Sequence, residues 1–523
     1  MQKKDLKTLA FKPKNLFERL NKSNIFYPIL VFLIFAFWQI TWGLKNNPDF
    51  INWPIESLNI AKSIVEGQGY SSPFCYETGP TAWVSPLIPL FYAVTLIVFG
   101  QSIWAYLFLG LVGKVLIAMS FYFLQGSFEK YQIPYNRFIL FLIFMTYFSV
   151  FTRRYIGFFS DVELFILFTG LVLYYSHDLI HNNRLKEFLI LSFIIPLSLT
   201  SFALPFVTFF IVLFIFWLIK HFFGFNPIQI NHKLKFKHFL VTGLIFLLSV
   251  SIWGIRNNMV FDRIIVAKSN TWFEFHMSNI VDKKGFLNNS TWRKEHPMDN
   301  ELLCKTILKE GEVQWLEQFE NPGQGYQSLN NPDYVRKVMN RLKNIFLFTD
   351  YSYDFISTEY LRELDDDIKE VLISEKIIMH DSYLTLQYPE TEFWALLNSL
   401  SISVGDKEML ISDWNNAKQL LQKDKIAPTR IFHGFMRATL PSISIIALLI
   451  LAFVGIFKHL EFFGISLTLY FSYFLPFILI SHEPRYQSFV ILLQIIFVKL
   501  FVLQLIKMMR INRLLKHPNL LHF

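Results

Sequence analysis

Long apolar runs leave this chain few ways to fold. The first covers residues 25–44, about 20 residues, the length that crosses a hydrocarbon core. Further runs lie at about 102–124, 136–152, 161–176, 187–201, 203–220, 238–255, 432–457, 462–480 and 486–506. Inside a bilayer each backbone N–H and C=O must be satisfied within the protein, so runs of this kind form helices. Of the 523 residues, 53% are hydrophobic and 18% aromatic, which points to an all-α polytopic membrane protein and away from a soluble globule.

Charge sets the expected orientation. Lys3, Lys4, Lys7, Lys12, Lys14, Arg19 and Lys22 precede the first run, and Lys507, Arg510, Arg513 and Lys516 follow the last. Both termini are therefore expected in the cytoplasm, with the first run an uncleaved signal anchor. The net charge of +9 sits at the ends and between runs, which suits anionic lipid headgroups and argues against nucleic acid. The apolar piece at 86–99 is about 14 residues, short for a crossing, and reads as an interfacial or re-entrant helix. Parity then places the loops 129–137, 177–187 and 220–238 inside, the last with Lys233, Lys235 and Lys237. A crossing there would put those basic loops outside, against the charge rule. The expectation is ten spans in the inner membrane.

Three regions follow: a transmembrane module over 1–256 with a first loop at 45–101, a hydrophilic insert over 257–430, and terminal spans with a basic tail over 431–523. The insert is expected to be a small, mainly helical periplasmic domain. Asn331 and Pro332 start one of its helices, with Val335, Val338, Met339, Leu342 and Phe346 on one face, and 413–421 suggests another. The two cysteines, Cys75 and Cys304, exclude a disulfide framework and a cysteine-based zinc site. Both fall on the outer side, where a bond is chemically possible. Two buried free thiols are the expectation.

The first loop carries the clearest pattern. Asn52 suits an N-cap and Pro54 a first helical turn. Ile55, Leu58, Ala61 and Val65 then recur at helical spacing, with Glu56, Asn59, Lys62 and Ser63 turned elsewhere. Gly67 and Gly69 end this juxtamembrane helix, and a loop stiffened by Pro73 and Pro80 follows. Glu56 and Asp49 are the acidic candidates here. Asp161 and Glu163 open a later span on the same side, where helix capping is the plain alternative. Arg153, Arg154, Arg256 and Arg485 lie at that outer boundary, although positive residues normally avoid it. His482 and Glu483 adjoin Arg485 as further acid–base candidates; His276 and His433 are weaker. Lys114, inside a span, is expected to snorkel or pair.

The acidic juxtamembrane helix, the turn GQGYSSPF, then GPTAW and PLIP, precede FFSDVELF, WGIRNNMVF and HEPRY in that order. This series resembles bacterial membrane glycosyltransferases of the GT-C superfamily, relatives of protein O-mannosyltransferases and of the lipid A aminoarabinose transferase. The resemblance implies a GT-C-type helix bundle that passes a sugar, with inversion, from a polyprenyl-phosphate donor to a lipid, glycan or protein acceptor at the periplasmic face. It makes Glu56 the base, with Asp49 the alternative and Asp161 the second acidic position. Arg256, Arg485 and one of Arg153 and Arg154 would hold the donor phosphate. Some such enzymes use a divalent cation, Mg or Mn, for which Glu56 and Asp161 offer hard oxygen ligands, but no dense ligand cluster accompanies them. No glycine-rich phosphate loop follows a strand, consistent with a lipid-linked donor. A lipid or polysaccharide transporter is the rival reading. Transporters carry ionisable groups inside their spans or show repeated halves, whereas charges here gather at one face.

Overall fold

The structure, a computed structural model, describes residues 24–46, 55–152 without 76, 159–182, 185–198, 203–225, 234–280 without 267, 296–320 without 299, 332–346, 439–451, 460–479 and 489–516, with short pieces between 355 and 415. Asp49, Arg153, Arg154, His482, Glu483 and Arg485 lie outside the described residues, as do Asn52, Pro54 and His433.

Apolar composition writes the helices. They run α1 Phe26–Asn46, α2 Glu56–Val65, α3 Leu87–Phe99, α4 Ile103–Lys130, α5 Arg137–Thr152, α6 Asp161–His181, α7 Leu185–Ser198, α8 Ala203–Phe223 and α9 Phe236–Phe261. The insert contributes α10 Thr271–Ile280, α11 Glu301–Glu310, α12 Glu312–Glu320 and α13 Pro332–Phe346. α14 Thr439–Leu451, α15 Leu460–Leu479 and α16 Ile491–Lys516 complete the series. Five of them, α4, α6, α8, α9 and α15, are long and apolar enough to cross a membrane. Their outward surface is apolar too: on α9, Leu240, Leu244, Leu247, Ile252 and Ile255 are all exposed, with Ile252 at 73%. Water would not tolerate such a face, and lipid does. The chain is a helical membrane protein.

α1, α4 and α6 form the centre of the bundle. Asn24, just before α1, donates to Glu129 near the end of α4, so these two helices run antiparallel. α4 and α6 run parallel, with Lys114 beside Glu163 towards one end and Lys130 bonded to Asp178 at the other. Gly170 allows their close approach, since a Cβ there would sit 3.2 Å from the Ser120 carbonyl oxygen. α15 joins this core through Tyr473 against Phe165 and through Glu461 against His181. Contact geometry thus defines two ends: one where α1 starts and α4 and α6 finish, and a second where α2, the start of α6 and the insert gather.

α3 is 13 residues, about 20 Å long, which falls short of a hydrocarbon core. It packs on α2 and on the first turns of α4, in a cluster of Leu58, Ala61, Ile88, Tyr92, Leu96, Ala105, Tyr106 and Leu109. The insert is expected to be mainly helical, and its described residues include four helices. It adds three short strands, β1 Phe355–Ser357, β2 Ile378–Met379 and β3 Tyr383–Thr385, antiparallel in the order β1-β3-β2. Tyr383–Thr385 is a β-branched and aromatic piece of the kind that suits a strand.

Candidate functional site

α2 is the amphipathic helix expected of the first loop, but its buried face is rotated. Leu58, Ile60, Ala61 and Ser63 are buried and Val65 is exposed. The reason is a second covering layer: α3 and α4 take one side, and the loop after the helix folds back over another. Asn59 Nδ2 donates to the carbonyls of Pro73 and Phe74 at 3.0 and 3.3 Å. Gly67, Gly69 and Gly79 adopt φ of +82°, +75° and +80°, which lets the chain leave the helix and turn back on itself.

That returning loop is pinned from the far side of the sequence. Arg256, in the last turns of α9, donates from Nη1 to the Thr81 carbonyl at 2.7 Å and from Nη2 to the Tyr70 carbonyl at 3.0 Å. A third bond runs from Nη1 to Asn257 Oδ1, also at 2.7 Å. The rings of Tyr70, Trp253 and Phe261 surround the guanidinium at 5.1–5.6 Å. Three of its five donors are thereby committed to protein. Glu312, at the start of α12, is buried and holds the same loop. Its Oε1 accepts from Ala82 N–H at 2.9 Å and Ser269 Oγ at 2.7 Å, and its Oε2 accepts from Thr81 Oγ1. Burial pushes the Glu312 carboxyl above its ordinary range, against the pull of these donors and of the Arg256 charge.

The sulfurs of Cys75 and Cys304 are bonded, with Cα atoms 6.4 Å apart. This corrects the expectation of two free thiols. The cause is packing that no local pattern reveals: Phe74 and Trp83 share one apolar cluster with Phe273, Met277, Ile307, Trp315, Leu316 and Phe319. The first loop and the insert are one packed unit.

Glu56 lies at the edge of that unit, its side chain 29% exposed. Trp83 Nε1 donates to Oε1 at 2.9 Å, and His296 Nε2 stands 3.4 Å from the same oxygen. His296 Nδ1 accepts from Met298 N–H at 3.2 Å, which turns the Nε2–H of the ring towards the carboxylate. The rings of Phe74, Trp83 and Phe273 enclose the histidine at 5.6–5.9 Å. Burial raises the Glu56 pKa, but the His296 bond and charge, the Lys268 charge and the Trp83 bond outweigh it and hold the carboxyl below its usual value. Glu56 is an ionised, oriented carboxylate. Among the described residues Oε2 accepts no hydrogen bond.

The remaining acidic candidates separate. Glu163 is buried, accepts from Ser160 N–H at 2.9 Å in a capping box, and stands 4.0 Å from Lys114 Nζ. Its role is to start α6 and to pair the buried lysine. Asp161 occupies the first turn of α6. Tyr92 donates to the Phe159 carbonyl, and Phe159 joins the cluster of Leu58 and Ala61. The Asp161 turn and the Glu56 helix therefore share a core at one end of the bundle. A hard cation is a poor match for Glu56, whose neighbours are an indole N–H, an imidazole N–H and a lysine charge. Among the described residues no three His, Cys, Asp or Glu side chains gather at metal-binding range.

His296 and Glu312 had no sequence signal pointing to them. His276, the weaker histidine candidate, packs against Phe319 in the insert. Compared with known proteins, the chain matches no family model, no curated protein and no solved structure.

Proposed function

We propose that the chain is an integral-membrane glycosyltransferase of GT-C type, taking a sugar from a polyprenyl-phosphate donor at the extracytoplasmic face. The observation that carries this reading is Glu56: ionised, fixed through one oxygen by Trp83 and His296, and part-exposed at the bundle end. An acceptor hydroxyl bonded to Oε2 would be oriented for attack on the anomeric carbon and would surrender its proton as the bond forms. Departing phosphate would meet the Arg256 donors not used by the loop, with Arg485 and one of Arg153 and Arg154 completing the cationic rim. Asp161 would act as a second acidic group from the start of α6, and Asp49 remains the alternative base.

A ten-span topology fits this function. The antiparallel α1–α4 contact and the parallel α4–α6 contact support it if α1, α4 to α9 and α14 to α16 each cross and α3 does not. Lys233, Lys235 and Lys237 then face the cytoplasm. The Cys75–Cys304 bond supports an oxidising compartment for the first loop and insert, as a bacterial periplasm provides. A transporter would use the buried Lys114–Glu163 pair as a relay, but the capping box occupies Glu163 and favours a structural part for it.

The test is release of polyprenyl phosphate from polyprenyl-phosphate sugars, measured in liposomes that contain cell-envelope lipids as acceptors. Glu56→Gln is expected to stay folded and to lose about a hundredfold or more in rate, as acid–base roles require. Normal turnover in that variant overturns the assignment of Glu56, and absence of any release by the parent chain overturns the transferase reading.

A further inference from the structure

At the bundle end remote from Glu56, α4, α6 and Asn24, just before α1, line a part-open cavity of about 150 Å³. The distance from the α2 cluster is about 30 Å along α4. α4 supplies Tyr122, Gln125, Gly126 and Glu129 to its wall, positions that fall on one stripe of a helix. A Cβ at Gly126 would lie 2.5 Å from the Tyr174 ring, so glycine lets that ring cross the helix and form a second wall.

The charges at the wall are already matched. Lys130 bonds Asp178 and lies over the Tyr174 ring at 3.4 Å, while Glu129 accepts from Asn24, Tyr135 and Arg137. Gln125 is the exception. It is 2% exposed, and among the described residues neither its Oε1 nor its Nε2 has a hydrogen-bond partner. A buried amide left in this way is costly, and such groups mark a missing partner. Gln125 calls for a ligand that both donates and accepts and that needs no counter-ion. A hydroxyl does both. The space equals about five waters' share of liquid volume, enough for a glycerol-sized group. Tyr122, 37% exposed, borders the cavity on the outward surface of the bundle.

We propose that this cavity binds the hydroxylated headgroup of a membrane lipid, with Gln125 donating to and accepting from its hydroxyls. The full-length chain, delipidated in detergent, is titrated separately with phosphatidylglycerol, phosphatidylmethanol and free glycerol while thermal unfolding is followed. Phosphatidylmethanol carries the same charge without the hydroxyls. Phosphatidylglycerol is expected to stabilise at about tenfold lower concentration than phosphatidylmethanol, the loss of one good hydrogen bond. Gln125→Leu should erase that preference while its lipid-free Tm stays level or rises. Equal response to both lipids, or full preference in Gln125→Leu, overturns the proposal and leaves the cavity to water. Free glycerol acting as well as phosphatidylglycerol overturns the lipid assignment in favour of a soluble polyol. Mass spectrometry of lipids retained by the unaltered chain needs no variant: retention of hydroxylated lipid is expected, and its absence counts against the site.

Discussion

Replacing Cys75 and Cys304 with serine removes the covalent tie between the first loop and α11. Its effect depends on how much chain the ring releases. The sulfurs are 229 residues apart in sequence, yet the helix bundle holds most of that chain with or without the bond. Only 67–75 and 262–304, roughly fifty residues, gain freedom, and a ring of that size corresponds to about 4 kcal/mol of closure entropy. Treating the whole ring as free gives only about 5 kcal/mol, because the dependence is logarithmic. The apolar cluster around Trp83 and the Glu312 bonds persist, so the insert stays docked but opens more often. Hydrogen exchange of peptides over 300–320 should then speed up by about 100- to 1,000-fold, while α4 and α6 keep their protection. A change below about threefold would refute the ring argument. Equal loss of protection in α4 and α6 would refute the local picture.

Glu312→Ala leaves Thr81, Ala82 and Ser269 with unmet donors and should cost about 3 kcal/mol or more, read as a lower Tm and altered Trp83 fluorescence; an unchanged Tm would contradict the pinning role. The Glu56 carboxyl lies below its ordinary range, so it adds stability above that range and loses it as pH falls through the depressed value. Glu56→Gln should therefore flatten the acid side of a Tm-versus-pH curve, and parallel curves would count against an ionised Glu56. Lys114→Met strands a buried Glu163 and should cost about 3–5 kcal/mol. Adding Glu163→Gln keeps the capping box and should restore most of it in thermal unfolding; no recovery would mean that the pair is not coupled.

The bundle was legible because its code is local. An apolar run at 25–44 becomes Phe26–Asn46 and one at 102–124 becomes Ile103–Lys130, with basic residues lengthening the ends. Gly67 and Gly69 read correctly as a helix end, and the 86–99 piece as a helix shorter than a span. Pairings across hundreds of residues were not legible. Nothing near Glu312 in KEGEVQWLEQFE distinguishes a loop clamp from an acidic residue favoured by a helix N-terminus. His296 precedes a proline in a stretch without periodicity. On α13 the apolar stripe was right only in part: Phe346 packs on Tyr470 and Phe474. Val335 and Met339 are exposed, while Tyr334, Arg341 and Ile345 are buried, because this helix meets carbonyl oxygens as well as an apolar wall.

Those carbonyls belong to the last turn of α15. Tyr334 donates to the Leu479 carbonyl at 2.7 Å, and Arg341 Nη1 reaches the Ile478 and Leu479 carbonyls at 3.3 and 2.9 Å. A helix end that ordinarily turns to water or to its own next residue is closed here by another part of the chain. Mechanically, α13 and α15 form a single lever. Any tilt of α13 pulls on α15, whose Tyr473 lies 4.8 Å from Phe165, one turn below Asp161 on α6. Grafting a foreign insert onto this bundle would thus leave the last carbonyls of α15 open, so the insert and the end of α15 must change together.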